Sequence, residues 1–301
     1  MPSSNVEAAD GTWLTYSWPA NFRFPAALDI PADDEMVEQF ETVPRSANGL
    51  SDWAYVGKNH AERDHTRGLL LLYKRPPALP FTGARRALCP VGIRVQGFIE
   101  RLNLGPLGTL TSGKTPQAAL QFVVLNGGRT SGHIFRQYKA AVDGVVRYIY
   151  QSLGETPPAA RSEDDETLFV ARRVFTKVVA GNRNSPSALH EGDDPRELCR
   201  AFETEWRVLA KAKIGEYVPH ADDPTRGSKH PCDAMSIREG DFVDVCIGFD
   251  IVSRRDRAGE NHLQVHLSIE HVLLLVSALE DAALDGDAGA EDVVHGPGAD
   301  F

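Results

Sequence analysis

The sequence predicts an α+β protein built on an antiparallel β-sheet, and three features predict it. First, Val243, Val245, Ile247, Phe249 and Ile251 alternate with Asp244, Cys246, Gly248 and Asp250. After the polar turn RRDRAGENH, Leu263, Val265, Leu267 and Ile269 alternate with Gln264, His266, Ser268 and Glu270. Two period-2 runs around a Gly-containing turn make a long hairpin with one buried face and one wet face. Second, residues 131–153 space their apolar side chains at threes and fours, the pattern of an amphipathic helix. Third, the element order is strand–strand–helix–strand–helix–strand–strand, without the regular βαβα alternation of a doubly wound sheet.

Each element has its own local warrant. Residues 1–88 form an irregular region rich in aromatics and prolines, because proline disfavours long regular elements. Within it the run GLLLLY is short and wholly apolar, so periodicity does not separate strand from helix. A core domain follows over 89–279. VGIRVQGFIERL puts Ile93, Val95, Gly97 and Ile99 on one strand face, with Phe98 an apolar exception on the other. ALQFVVL reads as a more buried strand. The helix over 131–153 carries Ile134, Tyr138, Val142, Val145 and Ile149 on its stripe and stops at Gly154, before Pro157 and Pro158. TLFVARRVFTKVV is β-branched and aromatic, hence a strand. Asp194, Pro195 and Glu197 spell a helix start, and Leu198, Phe202, Trp206 and Leu209 continue it as a stripe to about Lys213. With this second packing helix the fold is an antiparallel sheet that can curl into an OB-like barrel. VPHADDPTRGSKHPCDA reads as irregular, and HVLLLVSAL either extends the last strand or begins a helix.

Charge is unevenly placed. The formal net charge is -10, but residues 280–301 hold seven acids and no Lys or Arg, leaving 35 acids against 32 bases in the rest. That segment is small, acidic and Gly-rich, so it is expected to stay a disordered, solvated tail. The N-terminus lacks a basic and apolar leader, and no apolar run approaches the roughly 20 residues that span a bilayer. A soluble intracellular protein, cytoplasmic or nuclear and not membrane-bound, is expected. Cys89, Cys199, Cys232 and Cys246 form no close pair and are expected to be free, mostly buried thiols.

The segment GTLTSGKT, residues 108–115, fits the phosphate-loop pattern G-x-x-x-x-G-K-[ST]. A working phosphate loop needs a buried strand before its first glycine and a helix starting at its lysine. RLNLGPL precedes Gly108 and Pro116 follows Thr115, so the expected role is the flexible loop of a β-hairpin, with Lys114 suited to a phosphate. A nucleotide-dependent enzyme using Gly113, Lys114 and Thr115 is the competing reading. His220, His230 and Cys232, with Asp222 and Asp223 nearby, are too widely spaced for tetrahedral zinc, and His60 and His65 read as exposed loop residues. No metal, cofactor or catalytic residue is assigned, and no nucleophile-elbow, zincin or kinase signature occurs.

What remains points to a non-catalytic binding protein for single-stranded nucleic acid. Arg172, Arg173 and Lys177 share a predicted strand with Phe169 and Phe175, and Arg254, Arg255 and Arg257 crowd the last hairpin turn. Cations for phosphates and rings for bases are the recipe for single-strand binding. The acidic end, closing on Asp300 and Phe301, resembles the tail of some single-stranded-DNA-binding proteins, which docks protein partners and competes with nucleic acid. The resemblance spans about 20 residues. The alternative is a protein-interaction scaffold with no nucleic-acid affinity, for which the near-neutral body speaks.

Overall fold

The computed structural model describes residues 50–51, 54–58, 69–74, 91–128, 132–158, 166–178, 192–208, 212–219, 227–255 and 261–278. Two short strands come first, β1 (Ala54–Lys58) and β2 (Leu69–Tyr73), which pair antiparallel. β3 (Ile93–Asn103) and β4 (Leu120–Asn126) flank the loop that contains the phosphate-loop pattern, and they too pair antiparallel. The helix α1 (Gly132–Ser152) leads to β5 (Thr167–Arg173). Then come β6 (Phe175–Lys177), β7 (Trp206–Val208), β8 (Lys213–Pro219) and β9 (Gly227–Pro231). The long hairpin β10 (Phe242–Arg255) and β11 (Asn261–Val276) closes the described fold.

One sheet runs in the order β5–β4–β3–β10–β11–β8–β9, with β2 joining β10 beyond the end of β3. Its pairings are antiparallel except β11 with β8. The sheet curls, so that β5 comes back against β11. Arg172 ties this seam: its Nη1 donates to the Ile269 carbonyl at 3.2 Å and meets Glu270 Oε2 at 3.4 Å. Inside the curl lie Ile93, Val95, Val123, Leu125, Val170, Val245, Ile247 and Ile269, all fully buried. These are the alternate residues of each strand, as the period of two requires. Phe135, Val142, Val145 and Ile149 of α1 complete this core. Tyr148 Oη donates to the Ala54 carbonyl and Tyr150 Oη to that of Leu263, tying α1 to β1 and β11. Gly154, at φ +73°, ends the helix region in a left-handed conformation that glycine adopts without penalty.

Three expectations need correction. The hairpin is wet on only part of its second face: His266 is exposed there, but Asp244 is fully buried, bound by Arg94 Nε and Nη2 at 2.8 and 2.7 Å and by Gln96 Nε2 at 3.2 Å. Phe98, the odd apolar residue on that face of β3, meets Phe242 at 5.0 Å between centroids. The predicted helix from Asp194 is a chain of turns that runs into β7. Its start signal is used differently. Asp194 accepts from the N–H groups of Leu198 and Cys199, both at 2.8 Å, and Glu197 takes φ +50°, which no right-handed helix tolerates. The stretch read as irregular, 218–234, contains the end of β8 and all of β9. β8 is a poor sequence signal because Gly215 and Glu216 interrupt its apolar residues, and it forms by docking on β11.

Below the main sheet sits a satellite core. Leu110, Ala119, Val174, Phe175 and Val208 are its buried members, with Leu107, Leu198, Phe202 and Trp206 packed on them. It joins the β3–β4 loop to the two-stranded ribbon β6–β7 and to the turns after Asp194. Cys199 lies in this region, and burial together with the Asp194 carboxylate pushes its thiol up to about 12, so it stays protonated. Cys199, Cys232 and Cys246 are in no disulfide among the described residues and only partly buried, less so than expected.

Candidate nucleic-acid interface

The segment TLFVARRVFTKVV does not form one strand. It breaks at Val174, whose N–H donates to the Ala119 carbonyl, and the two halves belong to different sheets. In β5 the alternation sends Leu168, Val170 and Arg172 inward and Phe169, Ala171 and Arg173 outward. β4 presents Leu120 and Phe122 on the same outer face, Phe122 standing opposite Ala171 and Leu120 opposite Arg173. Phe122 and Phe169 form a tilted ring pair at 5.8 Å, and Phe169 keeps 43% of its surface exposed. In β3 a register shift after Ile99 sets Arg101 opposite Val124 and Asn103 opposite Phe122, extending the face with an exposed cation.

This face borders a cleft of about 530 Å³ between α1, β5, the β6–β7 ribbon and the middle of β10–β11. Lys139, Asp143 and Arg147 recur every four residues on one side of α1 and form one wall. Phe169, Arg173, Lys177 and Trp206 form the other, and Pro157 and Pro158 belong to the lining. Among the lining residues are five cations, Lys139, Arg147, Arg172, Arg173 and Lys177, against two carboxylates, Asp143 and Asp250. A chain of net charge -10 thus gathers a local excess of positive charge in a concave, partly aromatic site.

The residues singled out in the sequence divide as follows. Arg173 and Lys177 are exposed and line the cleft. Arg172 borders it too, but at 8% exposure it is the staple of the β5–β11 seam rather than an open cation. Phe175 is 3% exposed, set edge-on to Phe202 at 5.4 Å in the satellite core, and offers no ring face to a ligand. Lys114 is exposed on the β3–β4 loop, outside the cleft, where its Nζ reaches the Thr109 carbonyl at 3.5 Å. Arg254 and Arg255 end β10, two and three strand positions beyond the cleft residue Val252. Arg257, Asp300 and Phe301 lie outside the described residues, as does His220. Sequence reasoning missed Lys139, Arg147, Phe122, Arg101 and the position of Trp206. Lys139 and Arg147 had a local signal, their four-residue spacing with Asp143 off the apolar stripe.

The phosphate-loop pattern is folded against use as one. The N–H groups of Gly108, Leu110 and Lys114 donate to Gly105, Leu107 and Thr111, and that of Thr109 to Leu120, so they are spent inside the loop. Gly108 is required by packing: a Cβ there would lie 2.3 Å from the Leu120 carbonyl oxygen, and its φ is +54°. Pro116 opens a three-residue 3-10 turn, not a helix that could hold phosphate at its N-terminus. Among the described residues no cluster of three His, Cys, Asp or Glu side chains is placed to hold a metal ion, and no helix is long and apolar enough to cross a membrane.

No family model matches the chain, and no curated protein matches it. Among solved structures it is similar to gp2.5, a single-stranded DNA binding protein encoded by bacteriophage T7. The TM-score is 0.33 at 12% identity, covering 69% of this chain and 98% of that one. It is also similar to a C-terminally truncated single-stranded DNA-binding protein from bacteriophage Enc34. There the TM-score is 0.27 at 12% identity, covering 61% and 86%. Both likenesses are slight, and the cleft is characterised by its own residues.

Proposed function

We propose that the protein binds single-stranded nucleic acid along the outer face of β4–β5 and the adjoining cleft. The observation that carries the reading is the exposed Phe169 ring, backed by Phe122 and flanked in one cationic cleft by Arg173, Lys177 and Arg147. Stacking on an exposed ring serves any base, and fixed cations serve the phosphates between bases. A duplex, with its bases already stacked on each other, has no ring face to give Phe169. Topology supports the same reading. The order of β3, β4, β5, β10 and β11, with β5 returning against β11, supports reading this part of the sheet as an OB-like barrel. Barrels of that kind take oligonucleotides on the face of their second and third strands, here β4 and β5. The acidic segment 280–301 acts in this reading as an intramolecular competitor for the cationic cleft.

The test is a fluorescence-anisotropy titration of a labelled oligothymidylate with the full-length protein at two salt concentrations. Binding should weaken with salt. Arg173→Ala and Lys177→Ala should each lower the slope of log K against log salt by about 0.7, one phosphate's share on a single strand. Absence of binding at low salt, with and without residues 280–301, would leave the interaction scaffold in its place.

A further inference from the structure

We infer that the β6–β7 ribbon carries a second base-stacking position, with Trp206 as its platform. This rests on the reading of the cleft as a single-strand site. Trp206 and Lys177 are direct cross-strand partners, so their side chains emerge on the same face of the ribbon. Lys177 is exposed, Trp206 is partly buried, and both line the cleft. The pair repeats in kind what β5 offers one step earlier, an aromatic ring, Phe169, two positions along the same face from its neighbour Ala171 and four from the exposed Arg173. The cleft wall therefore alternates ring, cation, cation, ring along the chain from Phe169 through Arg173 and Lys177 to the partner strand's Trp206. A strand of nucleic acid laid along it meets phosphate-binding groups between two stacking surfaces, which is how successive nucleotides present themselves.

The ribbon's place is fixed by the satellite core. Phe175 and Val208, the neighbouring pair on the same face of the ribbon, are buried there; Trp206 packs against that cluster and also lines the cleft, and Leu107 and Leu110 bring the β3–β4 loop into the same cluster. The second platform is thus held rigidly relative to the first, because Val174 joins β5 to β6 without a flexible linker and is itself buried. Trp206 was the residue that the helical stripe assigned to a core. Its place on the cleft wall becomes visible only once the stripe is seen to be a strand and turns.

The experiment uses the full-length protein and compares Trp206→Leu, which keeps apolar bulk but removes the π face, with Trp206→Phe, which keeps both. Trp206→Leu should weaken oligothymidylate binding by about 5- to 150-fold, the range for losing one stacked base, and Trp206→Phe should stay close to the parent protein. Addition of the oligonucleotide should quench tryptophan emission in the parent, and the quench should shrink in Trp206→Phe, a readout that holds even if the leucine variant folds poorly. If Phe169→Ala weakens binding while Trp206→Leu binds normally and Trp206→Phe quenches as fully as the parent, the second platform is overturned and the cleft reading stands. If the parent itself does not bind, both fall together.

Discussion

Phe169 and Phe175 are six residues apart on one predicted strand, and replacing each by alanine should have opposite consequences. Phe169 is 43% exposed, and its described ring contact is with Phe122 at 5.8 Å. Losing such a pair costs about 0.5–1.5 kcal/mol. At about 2–4 °C per kcal/mol for a domain of this size, the melting temperature should fall by at most about 6 °C. The same change removes a stacking surface from the cleft, worth about 1–3 kcal/mol per base, so single-strand affinity should fall by about 5- to 150-fold. Phe175 is 3% exposed and edge-on to Phe202 in the satellite core. Truncating a buried phenylalanine costs about 3–5 kcal/mol, which lowers the melting temperature by about 6–20 °C. The assay is a thermal melt of each variant beside an anisotropy titration well below both melting temperatures. Phe169→Ala binding like the parent protein would refute the interface. A Phe175→Ala protein that melts normally but binds poorly would refute the placement of the two rings.

Four further outcomes follow from particular contacts. Ile247, fully buried in the centre of β10, should not tolerate aspartate: an unpaired buried carboxylate costs several kcal/mol of a total near 5–15, so Ile247→Asp should lose cooperative melting. Lys114→Ala should leave ATP and GTP binding unchanged at none, checked by equilibrium dialysis with Mg²⁺, because the N–H groups of Gly108, Thr109, Leu110 and Lys114 are already bonded to carbonyls and Pro116 opens only a 3-10 turn. Removing residues 280–301 deletes seven acids, and should tighten single-strand binding at low salt while leaving the two proteins alike at high salt, where the tail's attraction is screened. Burial raises the Asp194 carboxyl pKa, but the Cys199 and Leu198 N–H bonds outweigh it and hold the carboxyl below its ordinary 3.8. A depressed carboxylate pKa stabilises the fold above that value and the contribution is lost as pH falls through the folded pKa. Asp194→Ala should therefore lower stability to denaturant at pH 6, and the difference from the parent protein should shrink as pH falls through the depressed folded pKa.

How much of this was legible depended on how local its cause was. α1 and the β10–β11 hairpin were read correctly because their periods, 3.6 and 2, are written in neighbouring residues and survive in any packing. The hairpin nature of the β3–β4 connection was legible from Pro116 and the broken stretch before Gly108. The turns after Asp194 were misread because a cap signal states only that a carboxylate will accept nearby N–H groups. Whether a helix or a turn supplies them was settled by Leu198, Phe202 and Trp206 packing on Phe175 and Val208. Asp244 looked like a solvent-facing residue of an alternating strand. Its burial depends on Arg94, 150 positions earlier, arriving from β3.

By itself, then, the sequence determined the strands and helix with strong periods, the acidic bias of residues 280–301, and a supply of arginines and rings near residues 169–177. Tertiary structure decided which of them face a ligand. A period of two places Phe169 and Phe175 on one side, yet the bend at Val174 turns the second ring into the satellite core. Arg172 and Arg173 must point oppositely, but only the closure of β5 on β11 made Arg172 the inner one. Lys139 and Arg147 reach the same cleft from α1, about thirty residues away in the chain. Direction and company are properties of packing between distant segments, and no local period encodes them.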